Sequence, residues 1–301
     1  MKNNRLCLGT VQFGMHYGIN NKTGKPTRQE VFRMLDVAAE NEIEFIDTAA
    51  AYGDAEEILG EYFLAGKSKD IFKIISKLRP NLIEQDEKHA EEIVKREVEA
   101  SLKRLKVERL NGFLLHTPAD FYNESVVNGM NKCKEAGLIE NWGVSIYEAQ
   151  DASRAAGSGL IDYIQVPYSV FDQRLNKTDF FEIAKKNQVT VFSRTTFLQG
   201  LFAMEIDEVP SHMEEAKAYL KEFQQVTDKH NVSRMEAAFL FSYQNPDIDC
   251  LVFGVDNLEQ LKEDFRFAAK PSDIDNCLEE LRTMFQDISN SVIFPSLWAK
   301  K

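Results

Sequence analysis

Asp47, Tyr52, Lys77 and His116 are of the types that take, give or steer a proton, and each lies at or just past the end of a short apolar run. The runs are 43–47, 71–77 and 110–116, with Tyr52 in the loop after the first. Singly, each residue has an ordinary reading: a solvated Asp or Lys at a strand end, a Tyr closing the core, a His satisfied inside it. Jointly they are a carboxylate, a phenol, an ammonium and an imidazole at the C-terminal ends of successive strands. In a parallel barrel those ends share one mouth, where such folds perform general acid–base chemistry.

Elements that could position these groups are written along the whole chain. Strand-length apolar runs alternate with segments of helical period, the pattern of repeated βα units. Eight strands centre on 6–8, 44–46, 73–75, 112–115, 141–144, 163–166, 189–192 and 250–253, with helices expected over 28–40, 55–64, 87–105, 124–135, 148–156, 179–186, 213–230 and 258–268. A further helix over 271–285 is more than an eightfold pattern needs and is expected to pack outside, followed by a short tail, 293–298. No Ser-, Pro- or Gly-rich linker divides residues 1–301, so one undivided barrel domain is expected.

Composition removes several functions. A formal charge of −12 over 301 residues disfavours nucleic acid and anionic membrane as partners, because both need a basic footprint. No apolar stretch approaches a membrane span, and no signal run follows Met1 to Arg5, so a cytoplasmic protein is expected. Cys7, Cys133, Cys250 and Cys277 show no paired spacing and are expected as reduced thiols. No metal site is expected, since His16, His89, His212 and His230 lack ligand spacing. No Gly-x-Ser-x-Gly elbow suggests a nucleophile.

The segment 45–56, Phe-Ile-Asp-Thr-Ala-Ala-Ala-Tyr-Gly-Asp-Ala-Glu, taken with Ile75-Ser76-Lys77-Leu78 and Leu114-Leu115-His116-Thr117-Pro118, resembles the aldo-keto reductase superfamily. The resemblance runs from Leu8-Gly9-Thr10 to the segment 254–261. It implies a (β/α)8 TIM barrel, here with an extra C-terminal helix and without the bottom hairpin many relatives carry. It also implies reduction of an aldehyde or ketone by hydride, with Tyr52 protonating the oxygen, Lys77 lowering the Tyr52 pKa, Asp47 holding Lys77, and His116 orienting the carbonyl.

The implied carrier is NADP(H), with NAD(H) admissible. Similarity seats it on Gly9, Thr10, Asp47, Ser145, Gln165, Arg194, Leu198, Gly200, Gly254, Gln260, Glu263 and Asp264. Ser145 and Gln165 would grip the carboxamide, where Ile146 replaces a frequent Asn, and Arg194 would stack on the nicotinamide ring. Leu198 and Gly200 would bring backbone N–H groups to the pyrophosphate, and 254–264 would hold the adenosine. The basic residues that bind a 2′-phosphate in relatives are missing near Gly254 and Gln260, and Asp256 adds negative charge.

The substrate is expected to be a small carbonyl compound, a sugar among the candidates. The Phe294 to Trp298 run resembles bacterial members found beside sugar-nucleotide and surface-polysaccharide genes. Trp298 is expected to pin the tail, and His16 and Tyr17 to border the pocket or the surface. Two readings compete: a cofactor-binding sensor with little turnover, and a barrel hydrolase using Asp47 with Glu56 or Glu57.

Overall fold

The computed structural model describes residues 5–66, 71–269 and 274–298. Its eight strands are β1 (Leu6–Gly9), β2 (Phe45–Asp47), β3 (Lys73–Lys77), β4 (Leu110–Leu115), β5 (Ile139–Ser145), β6 (Tyr163–Pro167), β7 (Thr190–Arg194) and β8 (Cys250–Gly254). Each pairs in parallel with its neighbours in chain order, and β8 returns to β1, closing the barrel. Parallel strands covered on both faces read as continuous apolar runs, which is how they are legible in the sequence.

Side chains along a strand alternate between faces, and that parity builds the site. Cys7, Ile75, Leu114, Tyr163, Phe192, Cys250 and Val252 fill the barrel interior, with Phe45 against them. Two residues further along the same strands come Gly9, Asp47, Lys77, His116, Gln165, Arg194 and Gly254. The inward face thus changes from apolar to polar at the C-terminal mouth. Gly112 makes room for this interior, since a Cβ there would meet the Tyr163 ring at 3.0 Å.

Helices in chain order are α1 (Val11–Gly14), α2 (Arg28–Glu40), α3 (Ala55–Leu64), α4 (Ala90–Leu105), α5 (Glu124–Glu135), α6 (Ala149–Gly157), α7 (Phe180–Lys186), α8 (Glu214–Lys229), α9 (Arg234–Tyr243), α10 (Leu258–Ala269), α11 (Asp275–Met284) and α12 (Asn290–Ile293). Local chemistry sets several starts. Thr27 and Glu30 form a reciprocal capping box at α2, Asn123 caps α5, and Ser233 caps α9.

The helix expected over 213–230 is α8, and a second helix before β8, α9, was not expected; α9 packs on β8 and α10 and also touches α8 and α11. Six consecutive α9 residues, Ala237 to Ser242, are buried, so no single apolar face marks it in the sequence. The extra helix is α11; Pro271 to Asp273, expected to begin it, lie outside the described residues, as do Met1 to Asn4. Arg5 locks the approach to β1, donating to the carbonyls of Asn245 at 2.7 Å and Ile248 at 2.6 Å.

Candidate active site

Asp47 ends β2 and Lys77 ends β3, so their inward side chains are neighbours across one strand pair. Lys77 is fully buried, and its three N–H bonds are all used: Nζ donates to Asp47 Oδ1 at 2.6 Å, Thr48 O at 3.0 Å and Tyr52 Oη at 3.3 Å. Asp47 Oδ1 also accepts from Gln165 Nε2 at 2.8 Å, which ties β6 to the pair. Because the phenol oxygen accepts from the ammonium, its own O–H is left to donate elsewhere.

Tyr52 is held by a close backbone approach. Gly53 has φ +57°, and a Cβ on it would lie 2.2 Å from Gly14 O; a Cβ on Gly14 would lie 1.7 Å from Tyr52 O. Only two facing glycines let α1 and the loop before α3 touch this closely.

Electrostatics differ from the simplest expectation. Burial raises the Tyr52 pKa, and Lys77, the largest opposing influence, does not reverse it. The phenol is therefore protonated at neutral pH. Burial pulls the Lys77 pKa down, but Asp47 and then Tyr52 outweigh it, so the ammonium persists above its ordinary range. His116 stands edge-on to Tyr52, ring centroids 6.0 Å apart. Burial, then Lys77 and Arg194, push its pKa down to about 3, so it is a neutral imidazole, and its Nδ1 is buried without a partner.

A cavity of about 540 Å³ runs from Asp47, Tyr52 and His116 to α10. That is within the range of small-molecule sites. Of the residues expected to seat a dinucleotide, Gly9, Thr10, Asp47, Ser145, Gln165, Arg194, Gly200, Gly254, Gln260, Glu263 and Asp264 line it. Leu198 does not: it is buried in the core, and its N–H closes a turn on Thr195 O at 2.9 Å. Gly200 lines the cavity but donates its N–H to Phe197 O at 2.9 Å. Arg194 lies on the Tyr147 ring, Cζ 4.5 Å from the centroid, and donates from Nη2 to Ile146 O at 2.9 Å.

Acid gathers at the far end. Asp264 is buried, and burial, then Glu263, raise its pKa well above the carboxylate range, with no hydrogen bond to it among the described residues. Asp256 accepts from Asn21 Nδ2 at 3.1 Å, and Gln260 Oε1 accepts from the Asp256 N–H at 2.7 Å.

Several lining residues escaped the sequence reading: Gln12, Asn20, Tyr147, Gln199, and Phe294 to Ser296 of the tail. Tyr147 was within reach, since it stands two past the inward Ser145. Gln12 depends on Gly254, where a Cβ would sit 2.6 Å from Gln12 Oε1, an atom buried without a partner. Tyr17 lines the cavity with its pKa pushed up to about 12, chiefly by burial. Trp298 anchors the tail, donating from Nε1 to Val292 O at 3.0 Å. Glu56 is occupied by Arg104 at 2.6 Å and Ser76 at 2.5 Å, away from the cavity lining, which removes the paired-carboxylate hydrolase reading for it.

A family model described as the Aldo/keto reductase family matches residues 5–278. Aldo-keto reductase YhdN of Bacillus subtilis (strain 168) is 27% identical over 213 residues, covering 68% of this chain and 61% of YhdN. Aldo-keto reductase yakc of Schizosaccharomyces pombe, whose name carries NADP(+), is 26% identical over 187 residues, covering 58% of this chain and 54% of yakc. The chain thus spans 54% to 61% of the length of these two relatives. In fold, it resembles a solved structure of PA4992 from Pseudomonas aeruginosa, described as an aldo-keto reductase, with TM-score 0.64 at 23% identity over 88% of this chain and 89% of that one.

Proposed function

The chain belongs to the aldo/keto reductase family, and from that premise we propose that it reduces an aldehyde or ketone to an alcohol, with Tyr52 giving the proton. The carrying observation is the contact set of Lys77 Nζ, which leaves the Tyr52 O–H as the donor facing the cavity. The dinucleotide, NADP(H) or NAD(H), supplies the hydride when bound. Ser145 and the free Oε1 of Gln165 would hold its carboxamide, while Gln165 Nε2 stays on Asp47. At the other end, Gln12 Oε1 is buried without a partner and Asp264 has no hydrogen bond among the described residues, which suits a ligand rich in amide and amino groups.

The residues would act as follows. Neutral His116 donates one N–H to the substrate oxygen and fixes it beside Tyr52. As negative charge grows on that oxygen, the Tyr52 proton moves to it, and the phenolate left behind is stabilised by the Lys77 ammonium. Asp47 keeps Lys77 charged throughout. Burial of the pair excludes water from the proton path.

Fluorescence titration with NADPH and NADH, then turnover on a panel of aldoses and simple aldehydes, tests this reading. The Tyr52→Phe variant should still bind the dinucleotide and lose about 10²- to 10⁴-fold in kcat. Turnover equal to wild type on the best substrate would remove Tyr52 from the proton path.

A further inference from the structure

We propose that the carbonyl substrate is an anion, an aldehyde or ketone bearing a carboxylate, and that Arg194 is the residue that selects it. The inference rests on the reductase reading and deepens it. Arg194 closes β7 on the inward face and shares the cavity with Tyr52 and His116. A guanidinium has five N–H donors, and among the described residues Arg194 makes one hydrogen bond, to Ile146 O, with its Nε buried and without a partner.

No carboxylate lies within ion-pair reach of it among the described residues, whereas the comparably sheltered Arg104 and Arg174 hold Glu56 and Asp172 at 2.6 and 2.8 Å. Around it the reacting end is otherwise neutral. Lys77 is cancelled by Asp47, and His116 is uncharged. One positive charge is therefore left over where the substrate must lie.

Its geometry is also prepared. The Tyr147 ring backs one face of the guanidinium plane, and the Ile146 carbonyl fixes one edge, leaving a planar fork of the kind that takes a carboxylate through two parallel hydrogen bonds. A diphosphate would satisfy the same fork, and the dinucleotide carries one. The position beside Tyr52 and His116 favours the substrate, and the experiment separates the two sources.

With the full chain and whichever dinucleotide binds more tightly, kcat/KM is measured on matched pairs: succinic semialdehyde against butanal, D-glucuronate against D-glucose, 4-carboxybenzaldehyde against benzaldehyde. At least one acid should exceed its neutral partner by about 10- to 100-fold. Arg194→Gln should collapse that ratio towards one, and Arg194→Lys should restore part of it. The inference is overturned if wild type favours no acid. It is also overturned if Arg194→Gln weakens NADH and NADPH binding alike and lowers acid and neutral substrates equally, which would place the guanidinium on the diphosphate. If neither dinucleotide changes the fluorescence, the reductase reading fails, and this inference falls with it.

Discussion

The two ends of the cavity bury charge by opposite means. At the reacting end, side chains from three strands compensate one another: β3 gives the Lys77 ammonium, β2 the Asp47 carboxylate, and β6 the Gln165 amide. At the far end, one turn of α10 supplies Glu263 and Asp264 side by side, and no cation offsets the effect of burial and of Glu263 on Asp264. Burial there instead favours the protonated form of Asp264. Strand register can bring unlike groups together from distant sequence; a single helix face brings whatever its neighbours in sequence happen to be. At the first end the Lys77 ammonium is answered without a ligand. The second is left wanting a donor.

The largest effect should come from breaking the compensated end. Lys77→Met leaves Asp47 buried without its cation, a change that costs roughly 3–5 kcal/mol when a buried pair loses one partner. It should also abolish measurable turnover. Urea unfolding of wild type and variant reads the first quantity. A loss under about 1 kcal/mol would mean that the pair contributes nothing to the fold, contrary to what compensation implies.

His116 gives a pH-dependent effect at the same end, absent near neutral pH and growing as the solution is acidified. Its folded pKa of about 3 lies below the ordinary value of 6.5, so its contribution is present above pH 6.5 and lost as pH falls towards 3. In that window each pH unit removes about 1.4 kcal/mol relative to a chain without the imidazole. The stability of His116→Gln should fall less steeply than that of wild type as the pH drops through this window. Parallel slopes from pH 7 to 4 would show that the ring is solvated.

How far the sequence revealed these ends follows from the same contrast. Asp47, Lys77 and His116 were legible because strand ends are a property of short apolar runs, whereas Gln165 and Arg194 were placed by the family resemblance. Tyr52 was legible by its loop spacing, but not the mutual approach of Gly14 and Gly53 that seats it. Leu198 was misplaced because Thr195, Leu198, Gln199 and Gly200 all have positive φ, and a chain that turns so often does not keep the parity of the strand before it. The Arg194 partner was missed for a related reason: Tyr147 comes from the loop after β5, two strands away around the barrel. Helix α9 escaped because burial on all sides erases the amphipathic period.

The far end yields the smallest change, and one of opposite sign. Asp264 has a folded pKa raised above its unfolded value, so the stability it contributes is present below about pH 3.9 and lost as pH rises through the folded pKa. At pH 8 the wild type therefore carries a penalty that Asp264→Asn removes, in nearly the same volume. The new amide is itself a buried polar group without a partner, which offsets part of the gain. A net stabilisation of about 1 kcal/mol, or about 2 °C in Tm, is expected at pH 8, shrinking to nothing near pH 4. A variant less stable than wild type at pH 8 would mean that the carboxylate is ionised and paired in solution. The far end would then be compensated like the other, and the contrast between them would disappear.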